Sequence, residues 1–433
     1  MPGKSSENPF VDSTVNHLFR HEAGRMVAVL CRIFGAHNLE LAEDVVQDTL
    51  LAALEQWKLK GIPDKPQDWL FIVAKNKALN LIKKQKVNVL FGDEQTHPLL
   101  QSGYTINHAF EQLTGDALVK EDQLRMMFAC CHPSIPEEAQ ITLILKTLCG
   151  FSIPEIARAF LTNNETITKR LYRARQVFRE GNLTFDIPGK AALQQRMEPV
   201  LRTIYLLLNE GYNATQHDEH IRKDLIEESF RLCHFLTENK QTDRPDVAAL
   251  QALICFHAAR ISARTDTGGH ILLLPDQDRS HWNTGMIELG MDYLDKSAQG
   301  TITVYHLEAA IASVHCTAVS FEATDWARLL GYYDLLFQLK PSPVVALNRV
   351  IVLSKLSGAA AALAAFVQIS GKSALEKYYL YHATHGELLL QSGNAQQALE
   401  AYRQAFALTQ SLQEQDLLQA KIDACKRHCH SNL

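Results

Sequence analysis

Between Thr162 and Glu180 the sequence TNNETITKRLYRARQVFRE sets Lys169, Arg170, Arg173, Arg175 and Arg179 against two acids, Glu165 and Glu180, in a chain of formal net charge -5. Ammonium and guanidinium groups at that density bind phosphate, and planar arginine forks read base edges. At helical spacing Ile167, Leu171, Ala174 and Phe178 share one face. Lys169, Tyr172, Arg173 and Gln176 occupy the opposite face, with Thr168 beside Lys169. Arg170 lies to one side of it, and Arg175 and Arg179 to the other. That layout offers donors and an aromatic ring to bases and cations to phosphates. A solvated basic helix has the same composition, so the elements in front of this segment decide between the two readings.

Three Ser/Thr-x-x-Glu patterns precede or open it: Ser134 with Glu137, Ser152 with Glu155, and Thr162 with Glu165. Each is a capping-box signature of a helix start. The last two lie ten residues apart. They predict a short helix over 153–160 with Ile153, Ile156, Ala157 and Phe160 inward, a tight turn, and a longer helix over 163–179. This is the layout of a helix-turn-helix.

Two further helical segments are charged in opposite senses. LELAEDVVQDTLLAALEQW carries acids and no Lys or Arg. Glu40, Asp44, Gln47, Asp48, Leu51 and Glu55 follow one face, and Val45, Val46, Thr49, Ala53 and Trp57 the other. An acidic stripe with an apolar centre suits a partner with a basic surface. From Trp69 to Gly92 there are five lysines, Lys75, Lys77, Lys83, Lys84 and Lys86, and no acid. Asn76 and Asn80 lie one turn apart there, behind Trp69 and Phe71. Lysines, amides and rings suit a strand of unpaired bases; Trp69 and Phe71 also fit a core.

The elements that carry these residues belong to a chain of 433 residues with 46% hydrophobic content. The periodicity is helical nearly throughout, which predicts an all-α fold. Residues 10–87 read as one compact domain, 88–120 as a linker, 121–183 as the helix-turn-helix domain, and 184–433 as a larger helical region. Within the last, Gly386, Gly393, Ala398, Tyr402 and Ala405 fall at the small and aromatic positions of a tetratricopeptide-like helix pair. No apolar run reaches the roughly 18 residues of a membrane span, and no signal peptide is evident, so no membrane is expected and the compartment read is the cytoplasm. The nine cysteines are scattered and read as free thiols.

Three constellations invite other chemistry. CKRHCH (Cys425, His428, Cys429, His430) holds metal-type residues without a second pair. ACCHP (Cys130, Cys131, His132) has adjacent cysteines, which fit one tetrahedral metal badly. DQDRSHW (Asp276, Asp278, Arg279, His281, Trp282) reads as a loop ion-pair network before a carboxylate site. No phosphate loop, nucleophile elbow or zinc-protease motif is present, so no cofactor, metal or catalytic residue is expected.

LAEDVVQDTLLAALEQW followed by WLFIVAKNKALNLIKKQ resembles region 2 of bacterial sigma factors of the extracytoplasmic-function group, and GFSIPEIARAFLTNNETITKRLYRAR resembles their region 4. YLLLNEGYNAT (205–215), LLLPDQDRSHWN (272–283), YHLEAAIASVHC (305–316) and SPVVALNRV (342–350) resemble a subgroup with a long C-terminal extension. The resemblance implies that Asp44, Gln47, Asp48 and Leu51 dock on the β′ clamp helices of core RNA polymerase, with the β flap a further contact. It implies that Trp69, Lys75, Asn76, Asn80, Lys83 and Lys84 meet the −10 element of promoter DNA. It gives the −35 element to Thr168, Lys169, Arg170, Tyr172, Arg173 and Arg175. A protein partner of the extension is a further expectation, as is regulation by it. Two departures are visible. The group's turn glycine is missing near Leu161–Thr162, and the −10 segment has few aromatics, which implies weak melting. The alternative reading is a helix-turn-helix regulator with a ligand- or protein-sensing C-terminal region.

Overall fold

The computed structural model describes residues 9–85, 116–160, 162–180, 183, 185–212, 223–266, 268, 271–409 and 412–431. Among them all regular structure is helical, apart from one isolated antiparallel bridge between Thr265 and Ile271. The fold is all-α, as the periodicity implies. The chain divides into two compact units, Met1–Leu206 and Leu207–Leu433. Most of the stretch read as a linker lies outside the described residues, and helix resumes at Asp116.

The first unit contains α1 (Pro9–Phe34), α2 (Leu39–Lys60), α3 (Pro66–Gln85), α4 (Asp116–Cys130), α5 (Glu137–Thr147), α6 (Ile153–Ala159), α7 (Asn164–Glu180) and most of α8 (Lys190–Tyr212). Met26 to Cys31, Ile33 and Phe34 are all buried, so α1 is enclosed on every side through its second half. It packs against α2 and α3 on one hand and α4 on the other. The two sequence modules therefore share a core. Arg32 on α1 reaches buried Asp122 on α4 at 3.1 Å. Burial pushes the Asp122 carboxyl up to about 6, against the pull of Arg32 and Arg125. Gly24 lies so close to the loop after α5 that a Cβ there would fall 2.0 Å from the Leu148 carbonyl oxygen.

Helix starts explain the turn between α6 and α7. Ser152 and Glu155 form the expected capping box: the Glu155 carboxylate accepts from the Ser152 N–H and hydroxyl, both at 2.7 Å, and the Glu155 N–H donates to the Ser152 hydroxyl at 3.4 Å. The third pattern is displaced by one residue. Asn163 caps α7 through its side-chain oxygen, which accepts the Thr166 N–H at 2.8 Å. Asparagine is at least as good a cap as threonine. Thr162 instead donates its N–H to the Ala157 carbonyl at 2.8 Å, a six-to-one bond that closes α6. The first pattern caps nothing, because Pro136 is the N-cap of α5.

The second unit holds α9 (Lys223–Glu238), α10 (Pro245–Ala259), α11 (Thr284–Lys296), α12 (Val304–Thr317), α13 (Trp326–Leu339), α14 (Pro343–Val367), α15 (Tyr379–Gln391), α16 (Ala395–Leu408) and α17 (Leu412–Ser431). Its central helix is α10, buried from Asp246 to Phe256, with α11 and α12 packed on it. Gly290 of α11 faces the Phe256 ring, where a Cβ would meet Cε1 at 2.7 Å. In the α15–α16 pair, Gly386 lies under the Tyr402 ring, Ala398 and Ala405 are fully buried, and Gly393 turns the chain at φ 81°. By length and composition α14 could cross a membrane, which corrects the reading that no segment is apolar enough. Gly358, at φ 83° and ψ 170°, breaks it into two helices. Each is shorter than the roughly 20 residues a span needs.

Candidate nucleic-acid interface

On α7 the apolar stripe Ile167, Leu171, Ala174 and Phe178 is buried, and the face with Thr168, Lys169, Tyr172, Arg173 and Gln176 is exposed. Tyr172 is 60% exposed, far more than a core tyrosine. Lys169 holds Glu165 at 2.6 Å one turn back, a solvent-exposed pair that contributes little. Arg173 makes no ion pair among the described residues and projects from the middle of the face. The helix therefore presents a fork, an ammonium, a hydroxyl and a phenol on one convex surface, the donor set that base edges in a major groove require.

The flanking arginines behave differently. Arg170 pairs with Glu138 of α5 and lies over the Phe160 ring at 5.4 Å. Arg175 reaches across to α2, where it holds Glu43 at 2.8 Å, and Glu43 also accepts the Thr147 hydroxyl at 2.9 Å. Arg179 pairs with Glu40 of α2 at 3.1 Å. Arg20 of α1 pairs with Glu155 at 3.1 Å. Burial acts to raise the Glu155 pKa, and Arg20 and the two Ser152 bonds outweigh it and hold the carboxyl below the usual range. Of the six residues assigned to the −35 element, Arg170 and Arg175 are thus paired with acids on other helices.

The acidic stripe of α2 divides in the same way. Asp44, Gln47, Asp48, Leu51 and Glu55 are exposed, and Leu51, at 57%, is an apolar side chain left in water among acids. Glu40 and Glu43, at the start of the helix, face α7 instead. Val45, Val46, Thr49, Ala53 and Trp57 are buried, as the spacing implies.

On α3, Asn76 and Asn80 are exposed one turn apart, and Lys75 is half-buried. Lys83 and Lys84 lie on the last turn of α3, with their side chains outside the described residues. Trp69 is half-buried and meets the edge of Trp57 at 5.4 Å, so it braces α3 on α2. Ile72, which the sequence reading did not single out, is 57% exposed and precedes Asn76 and Asn80 at i, i+4 and i+8. Ile72 could have been found by extending the Asn76–Asn80 row back one turn.

The two Cys/His constellations, ACCHP and CKRHCH, hold their described cysteines in the interior. Cys130, Cys131 and Cys425 are buried, and burial pushes the Cys130 and Cys131 thiols well up, away from the reactive thiolate. No metal-ligating group of three is found among the described residues. The side chains of His428, Cys429 and His430 lie outside them.

Comparison with known proteins adds three family matches. Residues 18–87 match sigma-70 region 2, residues 125–177 match sigma-70 region 4, and residues 196–298 match a family of unknown function. An uncharacterized protein of Rhizobium meliloti (strain 1021) is 34% identical over 398 residues, which is 92% of each chain. No solved structure matches the chain.

Proposed function

The chain belongs to the sigma-70 family, as an extracytoplasmic-function-like sigma factor with a C-terminal extension that directs promoter-specific initiation of transcription, and from that premise we propose how its residues divide the work. Asp44, Gln47, Asp48 and Leu51 form the docking face for the β′ clamp helices of core polymerase. Asn76 and Asn80, with Lys75, Lys83 and Lys84, hold the opened −10 strand, and Ile72 supplies the apolar contact that the sparse aromatics do not. Thr168, Lys169, Tyr172 and Arg173 read the −35 element in the major groove. Arg170 and Arg175 serve its phosphates once freed from Glu138 and Glu43. The bond-making chemistry belongs to the polymerase, and the site of action is the cytoplasm, where polymerase and chromosome meet.

The observation that carries this reading is the pairing of two exposed surfaces of opposite character. An acidic face with exposed Leu51 at its centre lies on α2, and a donor-rich face lies on α7. An ordinary helix-turn-helix regulator has use for the second alone. The closed first unit adds a condition. By their designations the two promoter elements lie about 25 base pairs apart, on the order of 80 Å of duplex. Helix α7 cannot reach the −35 element while Arg175 rests on α2. The unit therefore opens when polymerase binds. The extension, with its tetratricopeptide-like α15–α16 pair, regulates this step or is required for it.

Run-off transcription with purified core polymerase tests the assignment. Promoter-specific product that depends on the protein is the expected result. Binding to duplex DNA without core enzyme, and no product, would return the chain to the regulator reading.

A further inference from the structure

Three helices end in one small region of the second unit, and an arginine meets each end. Arg264 Nη1 donates to the Tyr212 carbonyl at the end of α8. Arg260 caps α10 through its backbone N–H, and its guanidinium donates to the Gln277 side-chain oxygen at 3.4 Å. Arg279 Nη1 donates to the carbonyls of His315 at 2.8 Å and Ala318 at 2.7 Å, where α12 ends. Buried Trp282 joins two of them: the Arg279 guanidinium lies 4.4 Å from its ring centre and that of Arg260 5.2 Å. Arg264 stacks 3.8 Å over the Tyr212 ring, which meets the His257 ring at 4.3 Å.

The helix ends balance only part of this charge. A helix C-terminus carries about half a negative charge, so three of them offset roughly 1.5 of three positive charges. Three other arginines of the unit take carboxylates: Arg231 holds Glu228, Arg244 holds Asp246 and Arg349 holds Asp334. Arg260, Arg264 and Arg279 form no ion pair among the described residues. The carboxylate whose field reaches Arg279, Glu322, is fully exposed. Arg260 Nε, Arg279 Nη2 and Trp282 Nε1 are buried without a hydrogen-bond partner among the described residues, as are the Nδ1 atoms of His257 and His315. Burial, and then the neighbouring arginines, hold His257 down to about 3 and His315 to about 4, so both imidazoles are neutral and add no charge.

We propose that this cluster binds a small phosphate-bearing anion, gripped by Arg260, Arg264 and Arg279 with Trp282 and Tyr212 alongside. A phosphate group carries about −1.5 to −2 at pH 7, which matches the uncompensated remainder; a single carboxylate does not. Guanidinium forks fit its oxygens two at a time. The site also gives a use to stretches that promoter binding leaves idle: 205–215 brings Tyr212, 272–283 brings Arg279 and Trp282, and 305–316 brings His315.

The test is calorimetric titration of the full-length protein with inorganic phosphate and, separately, with adenosine monophosphate, each against sodium chloride of equal ionic strength. A dissociation constant of about 1 mM or tighter for either anion is expected. Tighter phosphate identifies the free ion as the ligand, and tighter nucleotide identifies a phosphate ester. Arg260→Gln touches none of the capped carbonyls and should weaken binding by roughly tenfold or more, while Arg349→Gln leaves it unchanged. Circular dichroism reports whether each variant folds. If the glutamine variant does not fold, Arg260→Lys replaces it, with the same tenfold loss expected. No heat beyond the chloride control from the wild-type protein overturns the proposal, as does a folded Arg260 variant of undiminished affinity.

Discussion

Arg173 and Arg175 are two positions apart on one helix and have opposite circumstances. Arg173 extends into solvent unpaired, while Arg175 is half-buried on Glu43. Arg173→Ala should cost about 1–3 kcal/mol of −35 discrimination and leave core polymerase affinity unchanged. Footprinting and a polymerase pull-down on the same preparation measure both, and joint loss would break the division of labour. Asp48→Lys should do the reverse, abolishing capture of core polymerase by reversing charge at the centre of the docking face. The inward and outward faces of α7 are legible in the sequence because burial there obeys a single period. The pairing of Arg175 is not, because its partner lies 132 positions away and nothing local marks Glu43 apart from Glu40 or Asp44. Asp122 gives a residue-scale test of pH. Its carboxyl titrates near 6 in the folded unit and near 3.8 unfolded. The folded state therefore binds more protons between those values, and its contribution to stability is lost as pH rises from about 4 through 6. Relative to Asp122→Asn, the wild-type unit should lose on the order of 2 kcal/mol across that window, read from urea unfolding at pH 4.5 and pH 7.

At the scale of elements, the interest lies in how α1 serves two modules. Each buried large apolar side chain on it contributes about 1.5–3 kcal/mol, against roughly 1 kcal/mol or less for a half-exposed ion pair. Packing of α1 on α4 thus dominates the closed unit, and Arg175–Glu43, Arg179–Glu40 and Arg20–Glu155 adjust it. A fluorophore pair on the exposed positions Gln56 and Glu180 should report a clear increase in distance on adding core polymerase to the free protein. An unchanged distance in an active complex would show that the unit does not open. The helices themselves are readable from period and caps, Ser152–Glu155 above all. Their mutual packing is not, since Met26–Cys31 of α1 is apolar on all sides and its sequence does not say which helices enclose it.

For the whole molecule, the boundary between the units falls inside α8, at Leu206–Leu207. Arg196 donates to the Phe128 carbonyl at 3.2 Å and Arg202 pairs with Glu137, so the start of α8 belongs with the promoter-binding unit. A truncation after Leu183 would remove that support along with the extension. One after Tyr212 removes the extension while keeping α8. If the extension regulates or licenses initiation, the Tyr212 truncation should change run-off yield severalfold, and unchanged yield would assign the extension another role. The sequence marks this region as helical and distinct but does not place its start, because periodicity continues through 190–212 without a break.

Gly24 has a consequence of its own. A methyl group there would sit 2.0 Å from a backbone oxygen at Leu148, a distance no side-chain adjustment can relieve. Alanine at this position is a wedge between α1 and the end of α5. A protein that binds its partner only from a minor conformation shows an affinity reduced by the population of that conformation. Gly24→Ala should raise this population, so less core enzyme would be needed for half-maximal transcription. The single hydrogen atom of this glycine would then help set the polymerase concentration at which the factor responds.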